Sequence, residues 1–224
     1  AAVAGGIPVI KGLGEGAAAN RIASVQGILN GTCNYILTQM EQHGADFSEV
    51  LGEAQALGYA EADPTFDVEG VDAAHKLAIL AALAFGTRLD FAGVDITGIS
   101  RIRAADITQA AQLGYVIRLI GQAESSGEGA ARRLFQRVAP CLVPLAHPLA
   151  SVTGPINAVV AEGNFTGRLI FEGRGAGEGP TASAVVADLI DIARENRSPP
   201  FSLPVARLEG VPRADPAGRR PGSR

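Results

Sequence analysis

The chain has 224 residues, 47% of them hydrophobic and 19% charged, and its formal net charge is −4. This composition supplies enough apolar side chains for a sizeable core and argues against a disordered protein. An acidic balance gives no electrostatic basis for binding nucleic acid or an anionic membrane, so we expect neither partner. The longest apolar run, 77–85, is far shorter than the ~20 residues that a membrane-spanning helix needs.

Hydrophobic spacing and turn residues predict the elements in chain order. Helices are predicted over 7–19, 31–44, 46–58, 67–85, 104–114 and 180–193, and strands over 21–29, 91–102, 115–123, 133–143, 158–161 and 167–172. Because helices dominate the first half and strands the second, we predict an α+β fold. In it, helices cover one face of a mixed or antiparallel sheet.

Both ends of the chain carry distinctive patterns. The sequence opens without Met on Ala1, in an apolar stretch that leads into Gly5-Gly6, so we expect further chain upstream. The C-terminal residues mix arginine with proline and glycine, which predicts a disordered tail over 206–224. Cys33 and Cys141 form no CxxC pair, so they indicate neither a disulfide scaffold nor a thiolate metal site and fit a reducing cytoplasm.

The segment 58–76 concentrates the residues that can carry chemistry. Its acidic residues are followed by a single lysine, Lys76, and they are Glu61, Asp63, Asp67, Glu69 and Asp72. On a helix Asp72 and Lys76 share one face, on a stripe that continues to Ile79 and Leu83. Burial favours a neutral amine and carboxylates favour a charged one, so Lys76 could move a proton near neutral pH.

Two interpretations of this segment remain open on spacing alone. The carboxylates could receive a cationic ligand group such as an α-amino group. Alternatively, Asp72 and Lys76 form an exposed ion pair that contributes little to stability. His75 reads as an ordinary helix residue.

Residues 56–76 resemble the signature of the homoserine dehydrogenase family, with its spaced glycine, aromatic, Asp-Pro, aspartates and lysine. The segments 1–8, 25–32 and 175–182 also look like family segments, so the resemblance covers about 1–205. It implies NAD(P)-dependent interconversion of L-homoserine and L-aspartate 4-semialdehyde, in threonine, methionine and isoleucine biosynthesis. It also implies a cytoplasmic homodimer with a small-molecule substrate.

The resemblance implies a role for particular residues. Lys76 would be the general acid/base, and Glu61 and Asp72 would bind the substrate, chiefly through its ammonium group. Asp67 matches a further acidic position near the substrate, so it is also expected to bind it. NADP or NAD would contact Gly58 and Glu61, and the loop of Gly175 and Gly177 would approach the nicotinamide with its backbone. That loop lacks the strict G-x-G-x-x-G spacing, so by sequence alone it is equally well a tight turn.

A sodium site is implied at the carbonyl oxygens of Val3, Gly5 and Ile7, with its carboxylate ligand upstream of Ala1. We expect a catalytic and dimerisation domain over 1–175. The segment 176–205 would return, as a remnant, toward a nucleotide-binding domain that this chain lacks. Without that domain, we expect this chain alone to be inactive.

The sequence is also compatible with two other functions. The chain could be a non-catalytic dimerisation and amino-acid-binding module derived from the same family. It could also belong to a semialdehyde dehydrogenase in which Cys33, near a helix start, acts as the nucleophile.

Overall fold

The fold is built on one mixed sheet. The structure, a computed structural model, describes residues 3–196 and 198–214. The six strands are β1 Ile22–Ile28, β2 Asp95–Ile96, β3 Tyr115–Ser126, β4 Arg133–Pro144, β5 Ile156–Gly163 and β6 Gly167–Arg174. Their order across the sheet is β2-β4-β3-β1-β5-β6. Only β2 runs parallel to its neighbour β4, and the other pairs are antiparallel.

The helices pack mainly on one face of this sheet. They are α1 Val9–Lys11, α2 Gly31–His43, α3 Phe47–Ala56, α4 Thr65–Val68, α5 Val71–Phe85, α6 Ala104–Gln112 and α7 Glu178–Ala193. Helices α2, α5 and α6 lie against the central strands. Their apolar side chains share one core with alternate residues of the strands, among them Val25, Leu119, Val138 and Val159. The predicted α+β fold with helices on one face is confirmed.

The opposite face of the sheet carries a second, smaller core. Ile28, Ile120 and Val160 pack there against Leu149 and Val152, which belong to the segment between β4 and β5. Asn34 of α2 holds this segment, because its Nδ2 donates to the carbonyl oxygens of Val152 (3.1 Å) and Gly154 (2.9 Å). The segment therefore covers part of the face that the helices leave open.

The following two predicted elements differ from the structure. The helix over 7–19 is the short α1 followed by a π-helical turn, Gly12–Gly16. A side chain at Gly12 would collide with Phe171 of β6, so this turn requires glycine for close packing. The strand over 91–102 shrinks to the two residues of β2, because Asp90 forms a turn by accepting a bond from the Gly93 N–H (2.9 Å).

The described part of the expected tail, 206–214, is packed rather than disordered. Leu208 is buried with 5% exposure. The N–H of Glu209 donates to the carbonyl oxygen of Gly86 (3.1 Å), and the N–H of Leu134 donates to that of Pro212 (2.9 Å). Backbone bonds to two separate elements thus hold this part of the segment in the structure. The remainder, 215–224, lies outside the described residues.

Among helices α1 to α7, α7 is the one that buries no residue. Its exposed apolar side chains are Val185, Val186, Leu189, Ile190 and Ile192. An ion pair between Lys11 and Asp191 connects it to α1. No helix within 3–196 and 198–214 combines the length and apolarity that crossing a bilayer requires.

Candidate active site

The acidic segment folds as a loop followed by two helices rather than one. Gly70 has φ 81°, a left-handed conformation that breaks the predicted 67–85 helix into α4 and α5. The start of α4 is fixed by Asp63, whose Oδ1 accepts a bond from the Thr65 N–H (3.1 Å). The break matters because it turns Asp67, on α4, toward the side chains of α5.

Lys76 and Asp72 form a partly enclosed pair at the start of α5. Lys76 Nζ lies 2.6 Å from Asp72 Oδ2, and the two side chains are 24% and 21% exposed. The same ammonium group donates to the carbonyl oxygen of Leu29 at the end of β1 (3.2 Å). An exposed surface pair would be more accessible to solvent and would lack this third partner, so the geometry argues against the exposed ion pair that the spacing alone left open.

Asn30 links the two acidic residues, and sequence reasoning missed it. It lies between β1 and α2 and is 6% exposed. Its Nδ2 donates to Asp67 Oδ1 (2.7 Å) and to Asp72 Oδ2 (2.8 Å). Its Oδ1 accepts a bond from the Cys33 N–H (2.8 Å) and so caps α2. The sequence signal for Asn30 was its position immediately before a predicted helix, which indicates a helix cap and not a role in the site.

Burial raises the pKa of Asp67 above its ordinary value, while the hydrogen bond from Asn30 opposes this shift. The neighbouring charge of Asp72 acts with burial, and that of Lys76 acts against it. Two carboxylates and one ammonium thus converge, and together they carry one net negative charge. Such a group of charges attracts a cation.

Glu61 and Gly58 occupy the exposed loop between α3 and α4. The charge of Glu61 contributes to the raised pKa of Asp67, which places it near the cluster, although the side chain is exposed. Gly58 adopts a left-handed φ of 76° where α3 ends. The loop is tied to α2 by Thr32, whose Oγ1 donates to the carbonyl oxygen of Tyr59 (2.8 Å).

Cys33 has the wrong environment for a nucleophile. Its side chain is completely buried, and burial raises the pKa of its thiol well above the ordinary value, with the nearby Asp67 and Asp72 charges acting in the same direction. The thiol donates to the carbonyl oxygen of Asp67 (3.2 Å). A buried, protonated thiol does not attack substrates, so the covalent alternative is disfavoured, and Cys33 connects α2 to α4 instead.

His75 is stacked between two aromatic rings. Its ring centroid lies 3.9 Å from that of Phe91, at an interplanar angle of 4°, and 5.8 Å from that of Phe66. The stack joins α5 to the start of α4 and to the segment before β2. It supports the interpretation of His75 as a structural helix residue.

The two glycine segments that sequence analysis singled out lie against each other. The N–H of Gly6 donates to the carbonyl oxygen of Arg174 (3.2 Å). A side chain at Gly5 would collide with the carbonyl oxygen of Gly175, and one at Gly175 would collide with the buried Asn157. In contrast, Gly177 and Gly179, at the start of α7, have open space around them, with only Pro180 near Gly177.

The sodium site expected at residues 3–7 would use backbone carbonyl oxygens. The Ile7 carbonyl oxygen already accepts a bond from the Val9 N–H (2.8 Å). Among residues 3–196 and 198–214, no three His, Cys, Asp or Glu side chains converge to hold a metal ion. Backbone carbonyl oxygens such as those of Val3, Gly5 and Ile7 are the type of ligand that a hard cation prefers.

This arrangement brings the carboxylates of Asp67 and Asp72 together with the amine of Lys76 through shared hydrogen bonds. Such a group is typical of an enzyme site for a small, positively charged substrate. Residues 8–190 match the family model of homoserine dehydrogenase, and the chain belongs to that family.

Individual relatives agree with this assignment. A homoserine dehydrogenase of Neisseria gonorrhoeae is 55% identical over 194 residues, which are 87% of this chain and 44% of that protein. The crystal structure of a homoserine dehydrogenase from Thiobacillus denitrificans superposes with a TM-score of 0.88 at 48% identity, covering 95% of this chain and 50% of that one. A hyperthermophilic archaeal homoserine dehydrogenase mutant in complex with NADPH gives a TM-score of 0.70 at 29% identity, covering 86% and 54%. The chain thus spans about half the length of these relatives.

Proposed function

We propose that the full-length protein containing this chain is a homoserine dehydrogenase. It would interconvert L-homoserine and L-aspartate 4-semialdehyde with NADP or NAD, within the biosynthesis of threonine, methionine and isoleucine. The observation that carries the proposal is the hydrogen-bonded group of Lys76, Asp72, Asn30 and Asp67, within the region matched by the family model.

The acidic residues would bind the amino-acid end of the substrate. Asp67 and Asp72 present carboxylate oxygens to the substrate ammonium, and Glu61 adds a third charge from the exposed loop. The excess negative charge of the cluster favours a cation at this position, and the partial burial of Asp67 and Asp72 strengthens the attraction.

Lys76 would move the proton at the substrate hydroxyl oxygen. In the oxidative direction the neutral amine accepts this proton as the carbon–oxygen double bond forms. In the reverse direction the ammonium returns it to the aldehyde oxygen. Asp72 and the Leu29 carbonyl oxygen hold Nζ in place, because each accepts one of its hydrogen bonds. The nicotinamide, when bound, supplies the hydride acceptor or donor.

The loop before α7 would hold the nicotinamide end of the cofactor. Gly175 and Gly177 carry no side chain, and the space beside Gly177 is open apart from Pro180, so a ligand can approach the backbone closely there. Gly58 and Glu61 would contact the cofactor from the opposite loop. A sodium ion at Val3, Gly5 and Ile7 would need a further ligand from elsewhere in the full-length protein.

The domain division follows from the same proposal. Residues 1–175 would bind substrate and form a homodimer, and 176–205 would pack onto a nucleotide-binding domain. The unburied, apolar α7 supports that contact, because an isolated helix rarely exposes so many large aliphatic side chains. The two free cysteines fit a reducing compartment, so we propose a cytoplasmic location.

The decisive assay is turnover by the complete gene product, followed as homoserine-dependent reduction of NADP+ or NAD+. 4-Hydroxybutanoate, which lacks only the ammonium group, is the matched control substrate. We expect kcat/KM to fall at least ~100-fold with it, because the site is built around that group. Equal use of both substrates would contradict the assigned binding mode.

The non-catalytic module is the second candidate, because this chain spans about half the length of the relatives that it matches. For this chain alone we expect no turnover and NAD(P)H binding weaker than roughly 1 mM, about 4 kcal/mol. The complete gene product can be tested in the same way. If it binds homoserine in calorimetry but turns over neither homoserine nor 4-hydroxybutanoate, the non-catalytic module is the better description.

A further inference from the structure

Asn30 uses its whole side-chain amide on the site. Both amide hydrogens go to carboxylates, one to Asp67 and one to Asp72, and the amide oxygen receives the Cys33 N–H. The reverse orientation of the amide would place its oxygen against two carboxylates and its NH2 against an N–H donor. The assignment of oxygen and nitrogen is therefore unambiguous.

We infer that Asn30 is a positioning residue that holds Asp67 and Asp72 side by side as ionised carboxylates, ready for the substrate ammonium. This inference rests on the proposed function of the site. A neutral residue with two donors suits this task, because it bridges two like charges without adding charge of its own. It also joins carboxylates from two separate helices, since Asp67 lies on α4 and Asp72 on α5.

The electrostatics of the site explain why such a bridge is needed. Asp67 is already difficult to ionise, because burial and the charge of Asp72 both raise its pKa, and the bond from Asn30 is the largest opposing influence. The other ionisable groups around the pair are Lys76 on α5, Glu61 on the preceding loop, Cys33 on α2 and Glu69 after α4. Lys76 already donates to Asp72, which leaves Asn30 as the donor that the two carboxylates share.

A purely structural role, the capping of α2, is the competing explanation. Two variants separate it from positioning. Asn30→Asp keeps the shape and the capping oxygen but removes both donors, whereas Asn30→Ala removes the cap as well. Asn34→Ala is the matched control, because Asn34 is also buried on α2 and also donates several bonds, but to the segment between β4 and β5.

The experiment measures steady-state kinetics and their pH dependence in the complete gene product. We expect Asn30→Ala to raise the KM for homoserine at least about tenfold, while the KM for the nicotinamide cofactor changes little. We expect Asn30→Asp to move the acidic limb of kcat/KM for homoserine to higher pH, because its carboxylates retain protons longer. Asn34→Ala should lower thermal stability but leave the KM for homoserine and the acidic limb of kcat/KM as in the wild type.

The inference would be overturned if folded Asn30 variants kept the wild-type KM for homoserine and the wild-type acidic limb in the pH profile of kcat/KM. It would also be overturned if Asn34→Ala moved that acidic limb by the same amount as Asn30→Asp. Should the variants not fold, the side-chain amide NMR signals of Asn30 in the wild type decide. We expect slow exchange and a joint shift of both hydrogens as the carboxylates protonate, and signals insensitive to pH would refute positioning. A wild type inactive on homoserine would instead overturn the proposed function, and the NMR titration would still test Asn30.

Discussion

One helical turn of α5 separates Asp72 from Lys76, and their side chains meet with 2.6 Å between Oδ2 and Nζ. The same Oδ2 atom also accepts a hydrogen bond from Asn30 (2.8 Å). Under the proposed function, a substrate ammonium group would compete with Lys76 for this carboxylate. We therefore expect substrate binding to alter the contacts of the lysine that we propose as the acid/base.

Replacing Lys76 tests the acid/base role. We expect Lys76→Ala to lower kcat at least ~100-fold while homoserine still binds, because the proton then has no acceptor at the substrate oxygen. Lys76→Arg is the control that keeps the positive charge, and it should be nearly as slow, because a guanidinium does not release its proton. Steady-state kinetics check both. An arginine variant with wild-type kcat would show that only the charge matters.

We predict that the ionised Asp67 side chain lowers the stability of the folded protein, although homoserine binding depends on it. Because its pKa is raised in the folded state, the native protein holds this proton more tightly than the unfolded chain, and ionisation at neutral pH destabilises the fold. Asp67→Asn should therefore raise the thermal midpoint at pH 7 while impairing homoserine binding. The gain should shrink as the pH falls through the folded-state pKa, where the wild-type carboxyl also becomes neutral.

Asp63 provides the control for that experiment. Hydrogen bonds from Thr65 lower the pKa of Asp63, whereas the pKa of Asp67 is raised. Asp63→Asn should accordingly give no gain in the thermal midpoint at pH 7. Equal behaviour of the two variants in a pH series of melting curves would contradict the assigned electrostatics.

The glycine loop offers a matched pair of substitutions. Gly175→Ala would press its methyl group into Asn157, so we expect a lower thermal midpoint and weaker NADPH binding. Gly179→Ala meets nothing within 4 Å and lies inside α7. It should be neutral or stabilising by up to about 1 kcal/mol, because alanine is the better helix former. Identical effects of the two variants would show that the close approach at Gly175 is unimportant.

The order of the C-terminal segment can be tested by denaturation. Leu208→Ala should cost about 2 kcal/mol, because it empties a buried position. Val205, three residues earlier, is 67% exposed, and Val205→Ala should change the free energy of unfolding by less than about 0.5 kcal/mol. A similarly small effect at Leu208 would support the disordered tail that the sequence suggested.

Local patterns predicted most of the sheet and the reactive pair. Asp72 and Lys76 could be identified because an i,i+4 spacing on an amphipathic helix is a local property. The break at Gly70 was missed, because glycine inside a helical pattern is often tolerated and only its φ shows that it ends α4.

Asn30 could not be recognised in the same way. It meets Asp67 and Asp72 across 37 and 42 positions of sequence, and that contact exists only after α4 and α5 pack against the end of β1. The burial of Leu208 was missed for a similar reason, since an Arg- and Pro-rich composition concealed its contacts with distant elements.

Helix α5 contributes both to the site and to the core of the fold. Lys76 is followed directly by Leu77, which is completely buried, and Leu80 is 1% exposed. The backbone amides of α5 should therefore exchange their hydrogens with solvent only when the whole domain opens, whereas α7, which buries nothing, should exchange by local fraying. Lys76, which we propose as the acid/base, would thus keep its geometry until the protein unfolds as a unit. The segment around α7, which we propose to contact the cofactor, would remain free to change its conformation.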